Sequence, residues 1–237
     1  MSFTKRAIAG FAAGAAALLM LPQAALAGVV VSSSGPSASQ FPVGKQIDDT
    51  ERFTLSDGDR LTVLDNGGTR VFSGSGTYML SRSTGTRRNS AFSSLTSSSN
   101  ARRARTGTTR TANVGAISNP KIFYVDVAAT GPICIADLDN VRLWRADTQA
   151  ESTYTITADG VETNITFPEG EMLAAWDIYN PPVVGTEYQI GLGANASEIS
   201  FVELEEVPAN PEDMANALIT NGCLVQLDQM SKAMMGG

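Results

Sequence analysis

The chain has 237 residues, a formal charge of −7 and no histidine. Its length allows one large or two small domains. The missing imidazole removes the Ser-His-Asp and Cys-His nucleophile arrangements and every histidine metal site, and an acidic chain with few aromatics beside its basic residues argues against a nucleic-acid partner.

The first residues read as a secretory signal. Lys5 and Arg6 form a positive start, Ile8 to Leu21 an apolar core, and Ala25-Leu26-Ala27 a small-x-small cleavage site. Cleavage is expected after Ala27, which removes Lys5 and Arg6 and takes the formal charge from −7 to −9. No cysteine follows the signal, so a lipoprotein is not expected. No later stretch is apolar enough to span a bilayer. The expected location is the periplasm or the secreted fraction, with no transmembrane segment after cleavage. Residues 28–42 read as a flexible leader: Val29-Val30-Val31 allow a short strand, and Ser32 to Ser39 read as a tether.

Residues 43–80 read as a small β-domain. Phe53-Thr54-Leu55 alternates, and Ser56-Asp57-Gly58-Asp59 is a turn. Leu61 to Leu64 and Val71-Phe72 carry β-branched and aromatic residues around Asn66-Gly67-Gly68, a hairpin signal. Gly74-Ser75-Gly76 permits a second reversal into Thr77 to Leu80, so a three-stranded meander is expected. Gly74-x-Gly76 is not a phosphate loop, because no lysine follows and the next element reads as a strand.

Val43-Gly44, Leu55-x-x-Gly58-Asp59 and the Leu64-Asp65-x-Gly67 turn leading to Gly74-x-Gly76-Thr77-Tyr78 resemble the FecR-type β-domain of bacterial cell-envelope proteins. The resemblance covers about forty residues of the chain. The whole sequence also looks like exported alphaproteobacterial proteins without an assigned activity. The segments concerned are Arg105-Thr106-Gly107, Val125-Asp126-Val127, Gly131-x-x-Cys134-x-Ala136-Asp137, Leu143-Trp144-Arg145 and Gly222-Cys223-x-x-Gln226-Leu227. These resemblances imply an envelope setting. FecR's signalling role does not transfer, because FecR's membrane span and cytoplasmic part find no counterpart in these residues.

Residues 81–120 form an Arg/Ser/Thr-rich connector. From Asn66 to Val125 there are nine basic residues and no acids; from Asp126 onward there are eighteen acids against Arg142, Arg145 and Lys232. Such segregation predicts either attraction between the two halves or an anionic partner for the first. The candidate binding residues are Arg87, Arg88, Arg102, Arg103, Arg105 and Arg110, with an anionic envelope component or an acidic protein as the partner. Ala91 to Leu95 can seed a short helix with Phe92 and Leu95 on one side.

Residues 121–207 predict a β-sandwich of about eight short strands. They are expected at Ile122–Val127, Pro132–Ala136, Val141–Arg145, Ser152–Ile156, Glu162–Phe167, Met172–Ile178, Glu187–Leu192 and Glu198–Val202. Asp159-Gly160 is a hairpin turn, and Trp144 and Trp176 read as core anchors. Residues 208–237 predict a helical tail. Asn210 caps, Pro211 starts the helix, Met214, Leu218 and Ile219 form its apolar face, and Gly222 stops it. A second short turn or helix follows over Cys223 to Met230, and Met234 to Gly237 are expected to fray. Cys134 and Cys223 are expected to form a disulfide, consistent with export and with the absence of any Cys-x-x-Cys. The fold class is therefore mainly β, with short C-terminal helices.

The remaining chemistry is thin. Lys45, Lys121 and Lys232 fit no Ser-Lys motif. Asp137/Asp139 and Glu169/Glu171 are the nearest carboxylate pairs, and residues two apart on a strand lie too close to flank a glycosidic bond unaided. Asp137-x-Asp139-Asn140 lacks the glycine and glutamate of a calcium loop, whose places are taken by Arg142 and Thr148. No cofactor and no metal site is expected, and no oligomeric state follows. The leading expectation is a non-enzymatic exported envelope module. The alternatives are a two-carboxylate carbohydrate hydrolase and a surface-assembly component that uses Gly28 to Ser39 as a donor strand or tether.

Overall fold

The computed structural model describes residues 26–80, 88–97, 118–177 and 180–235. The protein is mainly β: fourteen strands and three α-helices lie among the described residues.

The N-terminal unit is built on strand β1 (Leu26–Ser34), which pairs with β2 (Gln46–Asp48) on one edge and β4 (Arg60–Asp65) on the other. With β5 (Gly68–Ser73) these make a four-stranded antiparallel sheet, ordered β2-β1-β4-β5. The first part of the segment expected as a flexible leader, through Ser34, is thus an interior strand longer than the short one its valines allowed. Its valines explain this. Val30 enters one core with Ile47, Phe53, Leu61 and Val63, while Val29 and Val31 enter a second core on the opposite face. A strand buried on both sides carries a continuous apolar run instead of an alternating one. Both edges of β1 are occupied within the chain, by β2 and β4.

The meander also needs correction. β4 and β5 form the expected hairpin, with Asp65 opposite Gly68 and the Gly67 N–H donating to Asp65 Oδ1 at 2.6 Å. The next strand, β6 (Gly76–Met79), leaves that sheet and pairs with β3 (Arg52–Leu55). Aromatic packing accounts for the choice: Phe53 lies 5.2 Å from Phe72 and 6.0 Å from Tyr78, ring centre to ring centre, so β3 and β6 close over the same core.

The second unit is the expected sandwich. β7 (Tyr124–Asp126), β9 (Arg142–Trp144) and β12 (Leu173–Ala175) form a three-stranded sheet. The facing sheet has the order β11-β10-β13-β14-β8, with β8 (Gly131–Ile135), β10 (Ser152–Ala158), β11 (Val161–Phe167), β13 (Glu187–Leu192) and β14 (Asn195–Glu203). Val125 and Leu143 from the first sheet share one core with Ile156, Phe167, Ile190 and Phe201 from the second. Each expected strand matches one of these eight. Asp159 and Gly160 both have positive φ, 50° and 79°, as a two-residue hairpin turn needs. Trp176 is buried edge-on against Tyr188 and Phe201.

Helices join the two units. α1 (Arg88–Thr96) buries Phe92 and Leu95 as expected. α2 (Pro211–Thr220) starts where predicted, with Asn210 Oδ1 accepting from the Asp213 N–H at 2.9 Å. α3 (Leu224–Met235) runs further than predicted. Met234 is 3% exposed in the core, so the last turn is held by packing where fraying was expected. The core beneath the helices takes Val29 and Leu64 from the N-terminal sheet, Cys134 and Leu204 from the sandwich, and Met214, Leu218, Leu227 and Met230 from α2 and α3. Cys134 and Cys223 form the expected disulfide, with Cα atoms 5.8 Å apart.

Candidate functional site

The strongest candidate is a cleft of about 540 Å³ between the outer face of the three-stranded sheet and α3. Strand periodicity builds its floor. β7 and β9 run parallel, pairing Val125 with Leu143 and Asp126 with Trp144. The first pair enters the sandwich core, so the second faces away from it. Helix periodicity builds the wall. α3 buries Gln226, Leu227, Met230 and Met234 and offers Val225, Asp228, Gln229 and Lys232 to the cleft. Gln229 Nε2 donates to the Asn119 and Lys121 carbonyls, each at 3.0 Å, which pins the wall to the segment leading into β7.

Four ionisable groups share one end. Burial raises the Asp126 carboxyl above the ordinary carboxylate range, opposed by the Ala128 N–H, which donates to Oδ1 at 2.9 Å. Burial also raises the Tyr154 phenol; the Arg145 charge works against this, and the Asp147 and Asp126 charges add to it. Arg145 is 2% exposed and is held by carbonyl oxygens. Its guanidinium donates to Glu171 at 3.1 Å, Ala150 at 2.9 Å, Pro168 at 2.8 Å and Phe167 at 3.4 Å, and it lies 5.1 Å above the Phe167 ring. The planar fork therefore ties the loop after β9 to the loop after β11 and carries a buried positive charge to the cleft. The Trp144 indole N–H is buried without a hydrogen-bond partner among the described residues. Asp228 and Lys232 form a surface pair at 2.6 Å, both more than half exposed, worth only about 0.3–0.5 kcal/mol.

Arg145→Met is expected to cost about 2–4 kcal/mol in urea unfolding, because four main-chain carbonyls, the Phe167 one fully buried, lose a charged donor. Arg145→Lys recovers little of it, since a point charge cannot span four acceptors. In the Arg145→Met chain, loss of the positive charge moves the Tyr154 phenol further up in an ultraviolet titration, a shift that Arg145→Lys, which keeps the charge, largely avoids.

The arrangement suits reversible binding of a small amphipathic molecule: the volume falls in the small-ligand range and the lining mixes apolar surface with a few charges. None of the sequence-based candidates is among the described residues that line the cleft. Arg87, Arg102, Arg103, Arg105 and Arg110 fall outside the described residues, and Arg88 is the first residue of α1. Asp137 accepts from the Asp139 N–H at 2.9 Å and borders a cavity of only about 100 Å³. Glu169 and Glu171 are exposed, and Glu171 serves Arg145 through its main chain. Neither carboxylate pair lines the larger cleft. Among the described residues no group of three or more Cys, Asp or Glu side chains could hold a metal ion. No helix among them is long and apolar enough to cross a membrane.

Sequence reasoning missed Asp126, Arg145 and Tyr154 as a group. The available signal was Arg145, a charge at the end of an alternating apolar strand. Comparison with family models, curated proteins and solved structures finds no match.

Proposed function

We propose that the chain is a non-enzymatic binding or accessory module exported to the cell envelope, with the cleft between β7–β9 and α3 as its ligand site. The observation that carries this reading is how the cleft's charges are used. Arg145 is consumed by four carbonyls and Lys232 by Asp228, so both cations of the lining build walls. Export is supported by the signal-like first 27 residues and by the buried disulfide, which needs an oxidising compartment to form. The FecR-like rhythm of residues 43–80 supports an envelope setting. On this reading the arginines of the connector engage anionic envelope material.

The two sites are tested separately. Amide chemical-shift mapping with a fragment library of sugars, short peptidoglycan pieces and amphipathic acids is expected to move signals of Asp126, Tyr154 and Gln229. Val225→Trp, which fills the cleft from an exposed helix position, is expected to remove those shifts without lowering stability. Shifts that cluster elsewhere, or that persist in Val225→Trp, would reject the cleft. For the connector, co-sedimentation with anionic vesicles is compared between the natural chain and a chain with Arg87, Arg88, Arg102, Arg103 and Arg105 changed to Gln. Equal sedimentation would reduce the segment to a connector. Turnover of aryl glycosides, lost on Asp126→Asn, would replace the binding reading by the hydrolase alternative.

A further inference from the structure

The first turn of α2 meets the end of β4 through a carboxyl group in an unfavourable place. Glu212, the second residue of α2, is 4% exposed. Its Oε2 accepts from Asn66 Nδ2 at 3.3 Å, and its Oε1 is buried with no partner among the described residues. A buried carboxylate oxygen without a donor is costly, whereas a protonated carboxyl is tolerated. We propose that this contact is a pH-operated clasp between the C-terminal helices and the N-terminal sheet, closed while Glu212 carries a proton and loosened when it ionises.

The surroundings supply no compensation. Asp65 on β4 and Asp213 on α2 are the charges that act on Glu212, and both are negative. The nearby cation on β5, Arg70, is already bound to Asp65 at 2.7 Å. β1 presents valines to α2, and the charged residues of α3, Asp228 and Lys232, pair with each other. The helix N-terminus favours an anion. Burial and the two carboxylates outweigh it, raising the Glu212 carboxyl from the ordinary 4.5 to about 7. The sign follows. Below pH 4.5 both folded and unfolded chains hold the proton and the contact is intact. As pH rises to about 7 the unfolded or opened form gains stability by releasing it, so the clasp weakens over that window and is weakest above it.

The geometry also sets which end moves. Cys223, three residues beyond the end of α2, is bonded to Cys134 on β8. The far end of α2 is therefore anchored by a cross-link, and its Glu212 end, reached by the chain from β14, carries none. Loosening is a pivot of α2 about the disulfide, and the sandwich stays intact.

Hydrogen exchange on the full oxidised chain at pH 5.5 and pH 8.5, corrected for intrinsic rates, tests this. Protection of the α2 amides that bond within the helix is expected to fall at least about tenfold at the higher pH, with β13 and β14 unchanged. Glu212→Gln keeps the shape and removes the charge, and is expected to hold α2 protection at its acid level at both pH values. Carbon-13 titration of the Glu212 carboxyl in the natural chain is expected to report a midpoint near neutrality, and it needs no variant to fold. A midpoint in the ordinary carboxylate range, pH-independent α2 protection, or a Glu212→Gln chain that keeps the pH dependence would each overturn the clasp.

Discussion

Replacing Cys134 and Cys223 together by alanine is expected to lower the free energy of unfolding by about 2–5 kcal/mol. The bridge closes a loop of 89 positions, which places it toward the upper part of that range in the chain-entropy model. Its position says where the loss should fall. Neither sulfur belongs to the sandwich core; both lie in the core beneath the helices. Exchange protection should therefore drop in α2 and α3 before it drops in β10 or β13. Both cysteines are fully buried, so reductant should act slowly on the folded chain and quickly in denaturant. Urea titrations with and without reductant, followed by both helical and tryptophan signals, check the size and the place of the effect. A change under about 1 kcal/mol would mean that packing alone seats α3.

Much of the sandwich was legible because each strand is a short apolar run closed by turn residues. Asp159-Gly160 is the clearest case: the two residue types that accept positive φ sit between two strands of equal length. The N-terminal unit was less legible. Val29 to Val31 allow only a short strand and the serines after them look like a tether, yet β1 runs through Ser34 and is interior because cores lie on both of its faces. That fact belongs to the assembled fold, since the second of those cores is completed by residues 214–234. β6 failed for a related reason. Neighbouring strands usually pair, and here the Phe53–Phe72–Tyr78 contacts select β3 instead. The cleft draws on three separate stretches, 118–128, 144–154 and 225–233. No spacing rule joins them; only the parallel pairing of β7 with β9 and the seating of α3 do. Met234 was misjudged because proximity to a chain end was weighed above its place on a helix face shared with Leu227 and Met230.

Gln226→Leu is expected to cost about 3–5 kcal/mol, as much as the disulfide, although it replaces an amide by an apolar side chain of similar size. Gln226 is 3% exposed on the buried face of α3. Its Oε1 accepts from the Cys134 N–H at 2.7 Å, and its Nε2 donates to the Cys134 carbonyl at 2.6 Å and the Ile122 carbonyl at 2.7 Å. β8 is the last strand of its sheet, so Cys134 has no neighbouring strand on that side. The side-chain amide supplies the donor and acceptor that a further strand would, and so closes the edge. Leucine removes all three bonds and leaves one buried N–H and two buried carbonyls unpaired, which apolar contact does not repay. Because the amide and the disulfide hold the same residue of β8, their effects should not add. In a double-mutant cycle, losing the disulfide frees β8 to shift away from α3, so Gln226→Leu should cost at least about 1 kcal/mol less in the Cys-free chain than in the oxidised one. Strict additivity would show that the amide seals the edge independently of the covalent bridge, and that α3 docks as a rigid body with or without it.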